Sequence, residues 1–578
     1  MFFTDSFILL TGALLTLSIL ATVPAERSGV PLLVVFLGVG MLAGEDGLGG
    51  IDFDDVAVAH LLATAALAVI LFDGGLHTPI ASFRTGLWPG LTLATVGVLI
   101  TAAVTAVAGV YLFDLGWGVS ALLAAMVSST DAAAVFYLLR ARGIAVHSRV
   151  RNTLEIESGV NDPLAIFLTL AMTLLLAPGG GAEPAALASM FFRQVVLGGV
   201  LGVGGGYLLT AVVNRLRFAA SLYPLLALAG GLFIYGVTAV AGGSGFLAAY
   251  LGGLVLGNRA QAARGGIRRF HDGMAWLCQI GLFLLLGLLV TPSELLPVAF
   301  EALVLAAVLI FVARPLAVVA SLLPFRFDVR QIAFMSWTGL RGAVPIVLAL
   351  FPLLADVEQA ETLFNRVFFI VLVSLLLQGW AVAPVARWLR LLLPKRHPEI
   401  ERVDVAEPAG HELVTCVLPA GCPAVNGGVE ELEVPAGVRL LSVLRRGEAV
   451  TLTPDLPLQS GDLLYLLLPV GDRHLEERFQ HWLDTVAATH EAAEQAYFGE
   501  FTVDADAPMA AFASMYLPAV DIDTAATETV GGFVRRRLRH TASEGDSLRI
   551  GGVMLTVRDM EGPWITRVGV RLPRAHSR

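Results

Sequence analysis

Residues 157–163 read Glu-Ser-Gly-Val-Asn-Asp-Pro, and the fourteen positions that follow are almost pure hydrocarbon. Two carboxylates, a hydroxyl and a carboxamide therefore stand at the head of an apolar helix. On a helix, positions four apart share a face, so Ser158 points with Asp162 and Glu157 with Asn161. Hard cations take oxygen ligands of this kind, and a carboxylate can also take a proton. The basic stretch before the motif, residues 140–151, places Asp162 about two to three turns into a span, approaching mid-membrane. A charge at that depth must face a partner or a water-filled cavity, and it marks a functional site.

Three other stretches carry polar groups at similar depth. Residues 128–136, Ser-Ser-Thr-Asp-Ala-Ala-Ala-Val-Phe, interrupt an apolar span. An interrupted helix exposes backbone carbonyls and helix ends that coordinate a small cation. Thr130 and Asp131 there offer oxygens or cap the broken helix. Residues 336–345, Ser-Trp-Thr-Gly-Leu-Arg-Gly-Ala-Val-Pro, weaken a late span through Gly339, Gly342 and Pro345, and place Arg341 inside it. A buried guanidinium needs a carboxylate, and Glu157 is the expected partner. Asp73, in Leu-Phe-Asp-Gly-Gly-Leu-His-Thr, ends a span near the basic side, either as an ion ligand or as an interfacial residue. Arg314, in Phe-Val-Ala-Arg-Pro-Leu, reads as structural.

The elements that must hold these groups are membrane spans. The 578-residue chain is 56% hydrophobic and 15% charged, with a mean hydropathy of +0.76. About thirteen apolar runs lie between residues 6 and 390, most long enough to span ~30 Å of hydrocarbon. The first lacks a basic start and is too long for a cleaved signal, so it reads as a retained span. Connecting loops alternate between basic and acidic or neutral. Basic loops stay in the cytoplasm, which puts the N-terminus outside and the C-terminal tail inside. Two broken spans, one in each half, are the pattern of inverted-repeat transporters. Gly198, Gly202 and Gly206 form a stripe for close helix packing, and no strand precedes them, so this is not a nucleotide-binding loop.

Up to Glu399 the chain holds 22 Lys/Arg and 22 Asp/Glu; beyond it, 16 and 26. The net charge of −10 therefore belongs to the tail, and an acidic tail argues against a nucleic-acid partner. Cys278, Cys416 and Cys422 have no metal-ligand spacing. The tail shows short alternating apolar stretches and turns, which predict two small α+β domains joined by a helical linker over 472–497. The expected organisation is a transmembrane domain at 1–395, a first cytosolic domain at 403–485 and a second at 496–578.

Together the motifs at 157–163, 128–136, 71–76 and 339–345 resemble the monovalent cation:proton antiporters of the NhaP and sodium/proton exchanger type, over nearly the whole membrane half. The resemblance implies a homodimeric, polytopic α-helical protein of the bacterial inner membrane with about thirteen helices, in inverted repeats with two broken crossing helices. It implies that Asn161 and Asp162 lie at the ion site and that Asp162 exchanges cation for proton. Ser158 and Asp73 would help to bind the cation, with Thr130 close by, and Glu157 and Arg341 would form a buried structural ion pair. Asp73 stands where relatives commonly have glutamate, one methylene longer. Residues 423–469 are similar to the C-terminal half of potassium-conductance regulators (TrkA-C type), and 529–572 to the domain appended to CorC and HlyC proteins. Such a tail implies a small-molecule regulator.

The mechanism needs one carboxylate. An ionised Asp162 removed from water is neutralised by a proton or by a cation but not usefully by both, so competition couples the two fluxes. The transported cation is potassium or, in the alternative reading, sodium. The chain is expected to be no enzyme and to need no cofactor. A tail-gated channel is the rival, and it would need a carbonyl-lined filter that the sequence lacks.

Overall fold

Residues up to 393 fold almost wholly as helix, as their long apolar runs require: in hydrocarbon only a helix or a closed barrel satisfies every backbone group. The computed structural model describes residues 2–393 except 29, 81, 82, 142, 143, 182, 261 and 262. Beyond these it describes 400–404, 411–418, 425, 428–432, 434–469, 475, 478, 479, 482, 497–517, 528–538, 542–561 and 564–573. The chain divides into two units, Met1–Leu392 and Leu393–Arg578.

The first unit runs α1 (Phe2–Ser28), α2 (Leu32–Ala43), α3 (Val56–His77), α4 (Phe83–Thr92), α5 (Val98–Phe113), α6 (Trp117–Met126) and α7 (Ala132–Ala141). After a two-residue strand β1 (Ala145–Val146) come α8 (Ser148–Leu176), α9 (Pro184–Arg215), α10 (Leu222–Val240), α11 (Gly245–Arg259) and α12 (Arg264–Leu288). The last helices are α13 (Pro292–Val308), α14 (Arg314–Leu322), α15 (Val329–Trp337), α16 (Val344–Leu354) and α17 (Ala360–Trp388), followed by β2 (Leu392–Leu393). Among the described residues nine helical stretches are long and apolar enough to cross a membrane. Of the expected apolar runs, those at α2 and α11 are single helices of 12 and 15 residues. Two others are split pairs, α6 with α7 and α15 with α16.

Local chemistry sets the helix ends. The Asp55 carboxylate accepts the Val58 N–H at 2.9 Å and starts α3. Asp328 and Gln331 form a reciprocal capping box at the start of α15. Within α8, Pro163 has no N–H to return to the carbonyl of Gly159, one turn earlier. Two five-residue π-helical stretches, Leu93–Gly97 between α4 and α5 and Leu309–Ala313 between α13 and α14, lie in corresponding places. Each is followed by a split pair, so the order of a π-interrupted helix and then a broken helix occurs twice. Gly198, Gly202 and Gly206 on α9 are buried against Ser244, Ala248 and Gly252, so that stripe packs within the chain, on α11. Gly253 and Gly257 let α11 approach the backbone of α3 equally closely.

The second unit holds two antiparallel sheets. One is ordered β3-β4-β7-β5-β6, from β3 (Ile400–Asp404), β4 (His411–Val417), β5 (Arg439–Arg445), β6 (Glu448–Val450) and β7 (Leu463–Pro469). Its first strand starts three residues before the expected boundary at 403. In β7 the period of two buries Leu464, Leu466 and Leu468. The other sheet is ordered β8-β11-β10-β9, from β8 (Phe501–Asp504), β9 (Ser547–Ile550), β10 (Val553–Glu561) and β11 (Trp564–Arg571). Helices Met509–Tyr516 and Val530–Leu538 contribute Phe512 and Phe533 to its core. Most of the expected helical linker at 472–497, and Cys422, lie outside the described residues.

Candidate functional site

Two helix breaks meet inside the first unit. α6 ends at Met126 and α7 begins at Ala132; α15 ends at Trp337 and α16 begins at Val344. Ser128 and Ser129 supply small polar residues at the first break, and Gly339 with Gly342 interrupts the second. The Asp131 N–H donates to the Leu340 carbonyl at 2.8 Å, tying one break to the other. From the second break Arg341, 1% exposed, donates through Nη1 to the carbonyls of Ser128, at 2.6 Å, and of Ser129. These carbonyls are freed where α6 ends, and the negative end of a helix favours a cation. The Ser374 hydroxyl accepts the Arg341 N–H at 3.0 Å and holds that backbone from α17.

α8 supports the first break. Asn161 donates from Nδ2 to both the carbonyl (3.1 Å) and the hydroxyl (2.7 Å) of Thr130. The Thr130 hydroxyl donates to Glu157 at 3.3 Å. Ser158 Oγ accepts the Ala132 N–H at 3.2 Å, and Asp131 Oδ1 accepts the Ala134 N–H at 3.1 Å, so both cap the start of α7. The Ser129 hydroxyl donates to Asp162. The carboxylate of Asp162 lies in a residue only 5% exposed. Among the described residues no cationic side chain pairs with it.

The expected ion pair between Glu157 and Arg341 is not the pair that forms. Glu157 is held by Arg314, whose Nη1 reaches Oε1 and whose Nη2 reaches Oε2 at 3.0 Å. Arg314 opens α14 directly after the second π-helical stretch, and its Nε donates to the Met335 carbonyl at 3.3 Å. The reason for the exchange of partners is geometric. Arg341 lies in the backbone crossing, where its Nη1 meets two bared carbonyls, while Arg314 presents a planar fork to the carboxylate.

A cavity of about 290 Å³ opens onto this arrangement. Of the residues expected at the site, Asp73, Thr130, Asp131, Ser158 and Asp162 line it. Asn161, Glu157 and Arg341 do not; they support the lining from behind. Ser129 also lines the cavity, as do His77 and Asp272, and all three were missed in the sequence. Arg314 was seen but given no partner. The rule that paired Arg341 with an acid applies equally to a cation in an apolar span, and would have found it.

A family described as "Sodium/hydrogen exchanger, transmembrane" matches residues 13–388, and one described as "Transporter associated domain" matches 494–574. The K(+)/H(+) antiporter NhaP2 of Shewanella oneidensis is 42% identical over 573 residues, 98% of each chain. The Na(+)/H(+) antiporter NhaP of Pseudomonas aeruginosa is 32% identical over 361 residues, 58% of this chain and 82% of its own. The fold is similar to that of the sodium proton antiporter MjNhaP1 from Methanocaldococcus jannaschii, with a TM-score of 0.58 and 24% identity, over 64% of this chain and 98% of that one.

Proposed function

Because this multi-pass membrane chain belongs to the sodium/hydrogen exchanger family, we propose that it exchanges potassium for protons across a bacterial inner membrane, one for one. The observation that carries this reading is Asp162: a buried carboxylate without a cationic partner among the described residues, facing a cavity lined by other oxygens. Leaving a carboxylate charged in such a place is costly, so it holds a proton or a cation. Thr130, Ser158 and Asp73 supply further oxygens from three elements. Asn161 holds the Thr130 carbonyl and hydroxyl in place, and Asp131 and Ser158 cap the half-helix that starts beside the site. Rocking of the broken helices with α8 exposes the site to each side in turn. Full-length likeness to a relative named for potassium favours potassium over the sodium alternative. The ions pass through chemically unchanged, so the activity is transport and not catalysis. The reading includes an external N-terminus, a cytosolic tail and a homodimer.

Dye-reported pH change in everted vesicles, with each alkali cation added in turn, tests the reading. Potassium is expected to dissipate the proton gradient most effectively. A response to sodium alone overturns the choice of potassium, and conductance without proton movement overturns exchange.

Stoichiometry gives a second test. Asn161 cannot titrate, Glu157 is held by Arg314, and Asp131 serves as a helix cap. One carboxylate then cycles and no net charge moves. An unbalanced cycle would feel ~2.3 kcal/mol per charge per 100 mV. In proteoliposomes under an imposed diffusion potential the exchange rate should not follow voltage. A rate that does so brings Asp131 or Glu155 into the cycle.

The tail reads as a regulator-type domain at 403–485 and a transporter-associated domain at 496–578, and senses a small cytosolic molecule. Deleting the chain after Glu399 should leave exchange measurable in everted vesicles but change its dependence on cytosolic conditions. Total loss of exchange in a stably inserted truncation contradicts a purely regulatory tail.

A further inference from the structure

His77 and Asp272 take no part in the exchange scheme, yet they stand together with Asp73 at the cavity wall. His77 is the last residue of α3, one turn beyond Asp73, and Asp272 comes from α12. His77 Nδ1 lies 3.2 Å from Asp73 Oδ1 and 3.1 Å from the Asp73 carbonyl, and Nε2 lies 3.3 Å from Asp272 Oδ1. One ligand atom from each of the three side chains falls within 4.8 Å of the other two.

A tetrahedral zinc ion with bonds of about 2.0–2.2 Å sets its ligand atoms about 3.3 Å apart. The two nitrogen–oxygen contacts use opposite nitrogens of the His77 ring, and one ion takes only one of them, so the cluster of ligand atoms within 4.8 Å must tighten around a single nitrogen by side-chain rotation. The side chains of His77 and Asp272 are 36% and 56% exposed, so both can turn one ligand atom towards a common centre and meet an ion arriving from water. Asp73, at 17%, forms the fixed inner edge. Two carboxylates and one imidazole suit zinc and related transition dications, and imidazole suits these ions rather than the hard oxygen-seeking ones. Three protein ligands leave the fourth position for water. Arg268, one turn before Asp272, directs Nη2 to the carbonyls of Leu76 (3.1 Å) and Gly257 (3.4 Å), so that nitrogen is engaged by backbone and not by the three side chains.

We propose that Asp73, His77 and Asp272 form a zinc-class dication site at the mouth of the ion cavity, and that occupancy blocks cation access to Asp162. The metal bridges α3 and α12 and removes Asp73 from the oxygens open to the transported ion. Only the blocking effect rests on the exchange reading; the binding does not.

The test titrates the purified full-length protein with zinc chloride by calorimetry, beside His77→Ala and the near-isosteric Asp272→Asn. Thermal unfolding verifies that each variant is folded. Loss of an outer partner alone typically weakens metal binding about 10–100-fold, so loss of a direct ligand should weaken it at least about tenfold. In everted vesicles zinc should inhibit the wild type at concentrations that leave both variants exchanging at their metal-free rates. Isotherms unchanged by both substitutions overturn the site. Zinc that binds through these residues without slowing exchange overturns the blocking role. Absence of exchange in metal-free wild-type vesicles counts against the exchange reading and leaves the binding result to decide the site.

Discussion

Asp162→Asn is expected to reduce cation-dependent proton movement to the background of empty vesicles while the protein stays folded and inserted. The amide keeps the shape of the carboxylate and can still accept from Ser129, but it holds no proton and offers no charge to a cation. Removing a buried charge that has no cationic partner also removes a desolvation cost, so the midpoint of thermal unfolding in detergent should be unchanged or higher. Flux in everted vesicles and the unfolding midpoint together separate lost function from lost structure. Normal exchange by a well-expressed Asp162→Asn would sink the assignment of the exchanging carboxylate.

The second large effect concerns Glu157 and Arg314. Removing either strands the other charge in a nearly anhydrous place, at a cost of about 3–5 kcal/mol. Glu157→Ala leaves the Arg314 guanidinium buried without its carboxylate. Arg314→Ala leaves Glu157 with only the 3.3 Å hydroxyl of Thr130 among its direct partners. The double variant Glu157→Ala/Arg314→Ala buries neither charge, and should lose less stability than the two single losses combined. The comparison cycle, Glu157→Ala with Arg341→Ala, should be closer to additive, because Arg341 is committed to the carbonyls of Ser128 and Ser129. Stronger coupling to Arg341 than to Arg314 in thermal unfolding would overturn the pairing seen in the structure.

The difference between these two arginines marks how far local reading of the chain reaches. The break in the span at 128–131 was legible, because consecutive polar residues in an apolar helix bare carbonyls that must be satisfied. The grouping of Ser158 with Asp162 was legible too, because helix periodicity is local and both line one cavity. Asn161 shares a face with Glu157, and both are turned to Thr130 as that periodicity requires. His77 was passed over: its spacing from Asp73 is helical, but its second carboxylate lies on α12 and nothing local announces it.

By itself, then, the sequence determined that the chain spans a membrane repeatedly, that two spans are broken, and that a carboxylate lies deep in a third. Hydrophobicity and helix period act over a few residues and leave their record in composition and spacing. Only the tertiary structure decided which buried cation meets which buried anion. Arg314 and Arg341 are both cations in late apolar spans, equally in need of compensation. The π-helical stretch before α14 is followed at once by the arginine that reaches Glu157, and the crossing of the two breaks brings the other to the carbonyl end of α6. Charge pairing acts through space, so the choice between them waited on how the helices cross.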